Sequence, residues 1–148
     1  MTVAEGAGPS TVPGGRVVRL VGVYHANGSL GGEIAYWVGA RLGRAHCALC
    51  DITHGTFRPK AEFARCAAGI PVPFDLVHLD ERSADVEAAT DGRTPCVVAL
   101  VTRDQDASGR TEVVVLLGAE ALDGCGGEPA ALLRALEAAV DAQGLRWP

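Results

Sequence analysis

Residues 16–24 constrain the fold more than any other part of the chain, because they read RVVRLVGVY and are almost continuously apolar and β-branched. Such runs form strands that are buried on both faces, as at the centre of a parallel sheet. We therefore predict a central strand here. Residues 1–15 are small, polar and rich in glycine and proline, which predicts a disordered arm before this strand.

The rest of the chain alternates between helix and strand patterns, which predicts an α/β fold with a central mixed four-stranded sheet flanked by helices. The last two strands are joined by only residues 102–111, so they should pair antiparallel. The predicted order is β-α-α-β-α-β-β-α, in a single domain over residues 16–148. Helices are predicted over residues 30–42, 59–69, 83–89 and 129–144, and further strands over residues 74–79, 96–101 and 112–117.

The composition limits the classes of partner. A net charge of −5 and an aromatic content of 5% argue against nucleic acid, which needs basic surfaces or stacking platforms. No stretch approaches the roughly 20 apolar residues of a membrane helix, and residues 1–15 lack the pattern of a secretory signal. We expect a cytoplasmic protein with no membrane partner, in which thiols stay reduced.

The segment HCALCDITH, residues 46–54, concentrates the reactive side chains. In Cys47-x2-Cys50-x3-His54, two thiols and an imidazole lie within one short segment, and these ligands suit zinc or copper. We predict that residues 44–58 form a long loop that returns to the carboxyl ends of the strands, where α/β folds bind ligands. The predicted metal ligands are Cys47, Cys50, Asp51, His54 and His25, and the predicted catalytic residues are Cys47, Cys50, His54 and Cys96.

The same residues are compatible with other functions. In a thiol-disulfide oxidoreductase or redox sensor, Cys47 or Cys50 would be the nucleophile, with its thiolate stabilised by His46 or His54. A metal-free module would instead bind a small molecule or a protein partner of unknown identity, and the backbone of residues 27–32 could hold an anion at a helix start. The activity class that we expect is a metal- or thiol-dependent, oxidoreductase-like enzyme.

Other reactive side chains have a simpler structural interpretation. Cys96 enters an apolar strand and Cys66 lies on an apolar helix face, so both could be packing residues. His25 could simply close the turn after the first strand. His78 is expected at the surface or the sheet edge, and the glycines around Cys125 predict an exposed thiol.

A β-α-β-α unit followed by a β-hairpin and a closing helix resembles the thioredoxin fold, which has a proline, usually cis, just before its third strand. Thr94-Pro95 stands at the matching position, before the strand CVVALV. The thioredoxin-like branch with the motif Tyr-Asp-Gly-x-Cys-x-x-Cys is similar at Tyr24, but Gly28 and Gly31 occupy both cysteine positions. The resemblance implies a thioredoxin-like fold that lacks the usual redox pair.

Overall fold

A computed structural model of the protein describes residues 14–25, Leu49, Ile52 and residues 61–148. The predicted arm up to residue 13 and the predicted helix over residues 30–42 lie outside the described residues. In chain order the elements are β1 (Gly15–Val23), α1 (Ala61–Ala68), β2 (Phe74–Val77), a 3₁₀ turn (Leu79–Glu81), α2 (Ala84–Thr90), β3 (Cys96–Arg103), β4 (Thr111–Leu117), α3 (Ala119–Asp123), α4 (Pro129–Ala142) and β5 (Leu145–Arg146).

One mixed sheet organises the described residues, in the strand order β2-β1-β3-β4. The α/β class, the central position of β1 and the antiparallel pairing of β3 with β4 are confirmed. β2 runs parallel to β1, whereas β3 runs antiparallel to it. The short strand β5 pairs with Gly15 and Arg16 and makes a fifth strand that we did not predict, because two residues carry no periodic signal.

The sheet has two differently covered faces, since successive side chains of a strand point to opposite sides. The α4 face is the side on which buried residues of β1 and β3 pack with α4, and the α2 face is the side on which they pack with α2. The α4 face includes Val17, Leu20, Tyr24, Val97, Ala99, Val101, Leu132, Leu136 and Val140, and the α2 face includes Val21, Val23, Val86, Cys96 and Val98.

The helix boundaries follow local capping rules. The backbone N–H of Val86 donates to the Ser83 hydroxyl at 3.3 Å, so Ser83 caps α2 as its position predicted. Pro129 begins α4, where its missing N–H removes no helical hydrogen bond. Gly144 follows the helix with a φ of +71°, a conformation that glycine adopts without strain. No helix among these elements is long and apolar enough to cross a lipid bilayer.

Some predicted boundaries were wrong. The strand predicted over residues 74–79 ends at Val77, because the backbone N–H of His78 donates to the Glu81 carboxylate at 2.8 Å and the 3₁₀ turn begins. The short helix α3 was not predicted. Cys125 is only 6% exposed, and its thiol donates to the carbonyl oxygen of Ala121 at 3.5 Å, so the prediction of an exposed thiol was also wrong.

Candidate functional site

The carboxyl ends of the parallel strands β1 and β2 lie side by side. Val23 is the register partner of Val77, and the N–H of Tyr24 donates to the carbonyl oxygen of Val77 at 2.9 Å. Tyr24 and His25 therefore follow one strand where His78 follows the other. α/β folds bind ligands at such an edge, because several loops begin there together.

His25 is exposed and contacts the residue before the cis proline. Its Nδ1 lies 2.8 Å from the hydroxyl oxygen of Thr94. The Thr94–Pro95 peptide bond is cis, as the thioredoxin resemblance implied. The structure therefore brings His25 to the start of β3, at the edge where a metal or substrate was predicted to bind.

Cys96 is fully buried on the α2 face. Burial raises the pKa of its thiol to about 11, although the positive charges of Arg82 and Arg93 act in the opposite direction. A thiol with this pKa stays protonated near neutral pH, whereas a nucleophile or a metal ligand acts as the thiolate. These are the properties of a packing residue, which was the other interpretation of Cys96.

The segment of residues 46–54 is only partly described. Cys47, Cys50, Asp51 and His54 lie outside the described residues, so their predicted roles stay predictions. Leu49 and Ile52, by contrast, are helical and fully buried in the α4-face core. The prediction of a loop over residues 44–58 was wrong at these two positions.

Leu49 packs against β1 at a glycine. A Cβ built on Gly22 would lie 3.2 Å from Cδ2 of Leu49, 2.9 Å from Cδ2 of Leu76 and 3.2 Å from Cε1 of Phe74. The absence of a side chain at Gly22 therefore leaves the space that these three apolar groups fill. Residues close to Cys50 are thus fixed to the α4 face of the sheet, next to both β1 and β2.

His78 forms a pair with Glu81 that sequence reasoning missed. Nδ1 of His78 lies 2.9 Å from Oε1 of Glu81, and the imidazole packs on Tyr24 with ring centroids 5.1 Å apart. The only sequence signal was a histidine at a strand end with a glutamate three residues later. Because we predicted that the strand continued through His78 to residue 79, that spacing suggested no contact.

The described residues do not bring a set of metal-binding side chains together. No group of three or more histidine, cysteine or carboxylate side chains that could hold a metal ion occurs in residues 14–25, Leu49, Ile52 or residues 61–148. Cys66, on α1, is half-buried and unpaired by any disulfide. A metal site with three or more such ligands would therefore need side chains from outside the described residues, where Cys47, Cys50, Asp51 and His54 all lie.

No protein-family model matches the chain, and no curated protein or solved structure is significantly similar to it.

Proposed function

We propose that the protein is a thioredoxin-like domain that binds a transition metal, zinc or copper, through Cys47, Cys50 and His54. The observation that carries this proposal is the burial of Leu49 and Ile52 in the core. Adjacent Cα atoms are about 3.8 Å apart, and two residues span at most about 7 Å. Each of the three ligands therefore lies within about 7 Å of a buried anchor along the chain.

The burial of Leu49 and Ile52 lowers the conformational-entropy cost of forming a metal site. Ligands on an unattached segment lose conformational freedom when they converge on an ion, and that loss opposes binding. Since Leu49 and Ile52 are buried in the core, folding fixes these two positions of the segment before a metal binds. Asp51 and His25 are the candidates for a further ligand, and His25 lies at the sheet edge.

The thioredoxin-like part of the proposal is supported by topology. A parallel β1–β2 pair, an antiparallel β3–β4 hairpin and the closing helix α4 follow one another as the resemblance implies. In such a fold the first strand ends at the functional edge. The metal would serve either as a structural tie or, with one open coordination position, as an activator of bound water.

Metal content of the reduced protein tests the proposal. We expect about one equivalent of zinc or copper by elemental analysis of anaerobically purified protein, and loss of that metal in Cys50→Ser. Cys66→Ser is the matched control and should keep the metal, because Cys66 lies on α1, outside the segment. Wild-type protein that stays metal-free after incubation with either ion would refute the proposal.

A thiol-disulfide oxidoreductase or redox sensor using Cys47 and Cys50 is the second candidate. The observation that favours it is the Cys47-x2-Cys50 spacing, because thiols in a Cys-x-x-Cys motif form thiolates more readily than a free cysteine does. A metal-free protein with a readily reducible Cys47–Cys50 disulfide would favour this function. A protein with neither property would be a binding module for a small molecule or a protein.

A further inference from the structure

We propose that Arg82 and Arg93 form a binding site for a phosphate group at the carboxyl edge of β1 and β2. The class of ligand is a small molecule that carries a phosphate monoester. This site is independent of the proposed metal, because neither arginine is one of the proposed metal ligands. Three features of the two arginines lead to it.

The first feature is that Arg82 is held in place without a negatively charged partner. Its Nε donates to the carbonyl oxygen of Leu79 at 2.8 Å, and its Nη1 donates to the hydroxyl oxygen of Thr90 at 3.2 Å. The guanidinium group carries further N–H donors, and the described residues supply no acceptor for them. A half-buried cation whose hydrogen bonds go only to neutral groups is stabilised when an anion binds to it.

Other arginines of the sheet do have such partners. Three of them each lie 2.6–2.7 Å from a carboxylate oxygen: Arg19, Arg103 and Arg146. Within residues 14–25 and 61–148, no carboxylate forms an ion pair of this kind with Arg82 or Arg93. Glu81, which precedes Arg82 in the chain, accepts instead from the backbone N–H of His78 at 2.8 Å. A ligand anion would supply the missing partner.

The second feature is that both arginines are bonded to Thr90, the last residue of α2. Thr90 is fully buried, its hydroxyl accepts from Arg82, and its carbonyl oxygen accepts from the backbone N–H of Arg93 at 2.8 Å. Both positive charges also act on the thiol of Cys96, where burial raises the pKa to about 11 and the two charges oppose that rise. The two guanidinium groups therefore lie near one thiol, so one phosphate group can accept hydrogen bonds from both.

The third feature is the position of the two arginines in the fold. Arg82 follows the 3₁₀ turn after β2, and Arg93 lies shortly before Cys96, where β3 begins. Cys96 is the register partner of Val23, the last residue of β1. Both arginines therefore stand at the carboxyl edge of the parallel strands, where α/β folds bind their ligands.

The charge of the site favours a phosphate over a carboxylate. A phosphate monoester carries a charge of about −1.5 to −2 near neutral pH, which matches two guanidinium groups better than the single charge of a carboxylate does. The whole chain has a net charge of −5, so an anion is repelled unless local positive charges hold it. Binding of phosphate to this protein therefore requires a specific cationic site.

A purely structural role for Arg82 is the alternative. Its hydrogen bonds tie the 3₁₀ turn to α2, so loss of the side chain would lower stability whether or not a ligand binds. Arg93 separates the two roles, because its side chain is exposed and its backbone N–H makes the hydrogen bond to Thr90. Arg82→Lys adds a second test, since lysine keeps the charge but lacks the planar guanidinium group.

Isothermal titration calorimetry with inorganic phosphate, at constant ionic strength, tests the proposal. We expect Arg93→Gln to bind phosphate about tenfold more weakly than wild-type protein, because a charge-assisted hydrogen bond is lost. Its thermal midpoint without phosphate should not change, and Arg82→Lys should also bind about tenfold more weakly. Arg110→Gln is the matched control and should keep the wild-type affinity, because Arg110 is exposed and precedes β4 at the amino end of β1.

Wild-type protein that binds phosphate no more tightly than acetate would overturn this inference. Equal phosphate affinities in Arg93→Gln and Arg110→Gln would overturn it as well, including the case in which phosphate binds only to a metal ion. Wild-type protein that contains no metal but binds phosphate through Arg93 would support this inference and refute the proposed function alone.

Discussion

The two faces of the sheet bury apolar side chains in different ways. The α4 face collects residues from distant parts of the chain, including Leu49 and Ile52 from the cysteine-rich segment. The α2 face buries fewer side chains, and the thiol of Cys96 is one of them. A residue close to the carboxyl edge of β1 and β2 is therefore not necessarily next to the cysteine-rich segment. The face to which its side chain points decides whether it packs on the same side as Leu49 and Ile52 or in the α2-face core.

The strongest test of this comparison is Leu49→Ala, which removes a fully buried side chain from the α4 face. We expect a loss of about 2–5 kcal/mol in the free energy of unfolding, measured by urea denaturation, because a cavity remains. Leu100→Ala removes a partly buried side chain that packs on the α2 face and should be milder. Equal losses in the two variants would mean that Leu49 contributes no more to stability than a partly buried residue does.

Gly22→Ala should have an intermediate effect and sharpens the same comparison. The added methyl group would lie 2.9 Å from Leu76 and 3.2 Å from Leu49 and Phe74, so these side chains must move. We expect a loss of about 1–3 kcal/mol in the free energy of unfolding. Gly118→Ala is the control, because a Cβ there has no atom within 4 Å and the backbone φ is −93°. A smaller loss at Gly22 than at Gly118 would contradict the packing described here.

The smallest effect is expected at Cys96, on the α2 face. The unfolded thiol has a pKa of 9.0 and burial raises the folded value to about 11. The folded state therefore favours the protonated thiol, and its stabilisation is complete below pH 9 and is lost as the pH rises toward 11. Between pH 8 and pH 10 the reduced protein should lose about 1 kcal/mol more stability than Cys96→Ala.

Thiol labelling gives an independent check on that face. At pH 8 a small alkylating reagent should modify the half-buried Cys66 well before Cys96 in the folded, reduced protein. Mass spectrometry of the peptides after a short reaction measures both rates. Faster modification of Cys96 than of Cys66 would show that the α2-face thiol is accessible and reactive.

Much of the fold was predictable because long apolar runs determine strands. Residues 16–24 and 96–101 gave the two central strands, and the short connection over residues 102–111 gave the hairpin. The elements that were missed are short. β5 has two residues and α3 has five, so both are too short for a repeating pattern to be recognised.

The site was harder to predict because faces and contacts depend on register. Cys96 was correctly expected at the entrance of a strand, but a shift of one residue exchanges the two faces, so the sequence could not say which core it would join. Leu49 was assigned to a loop because the residues around it are polar or reactive. The His78–Glu81 pair forms only because β2 ends at Val77, and strand ends are the least predictable boundaries.

The pairing of β5 with the start of β1 also determines where a tag or a solid support can be attached. Gly15 pairs with Leu145, so both ends of the described fold emerge together at the amino end of β1. The nine residues of β1 place the His25 and His78 edge about 30 Å away, at the other end of the strand. A tag or a solid support joined after residue 148 would therefore be attached near the opposite end of β1 from that edge. The same proximity means that a short linker could join residue 14 to residue 148 without crossing the sheet.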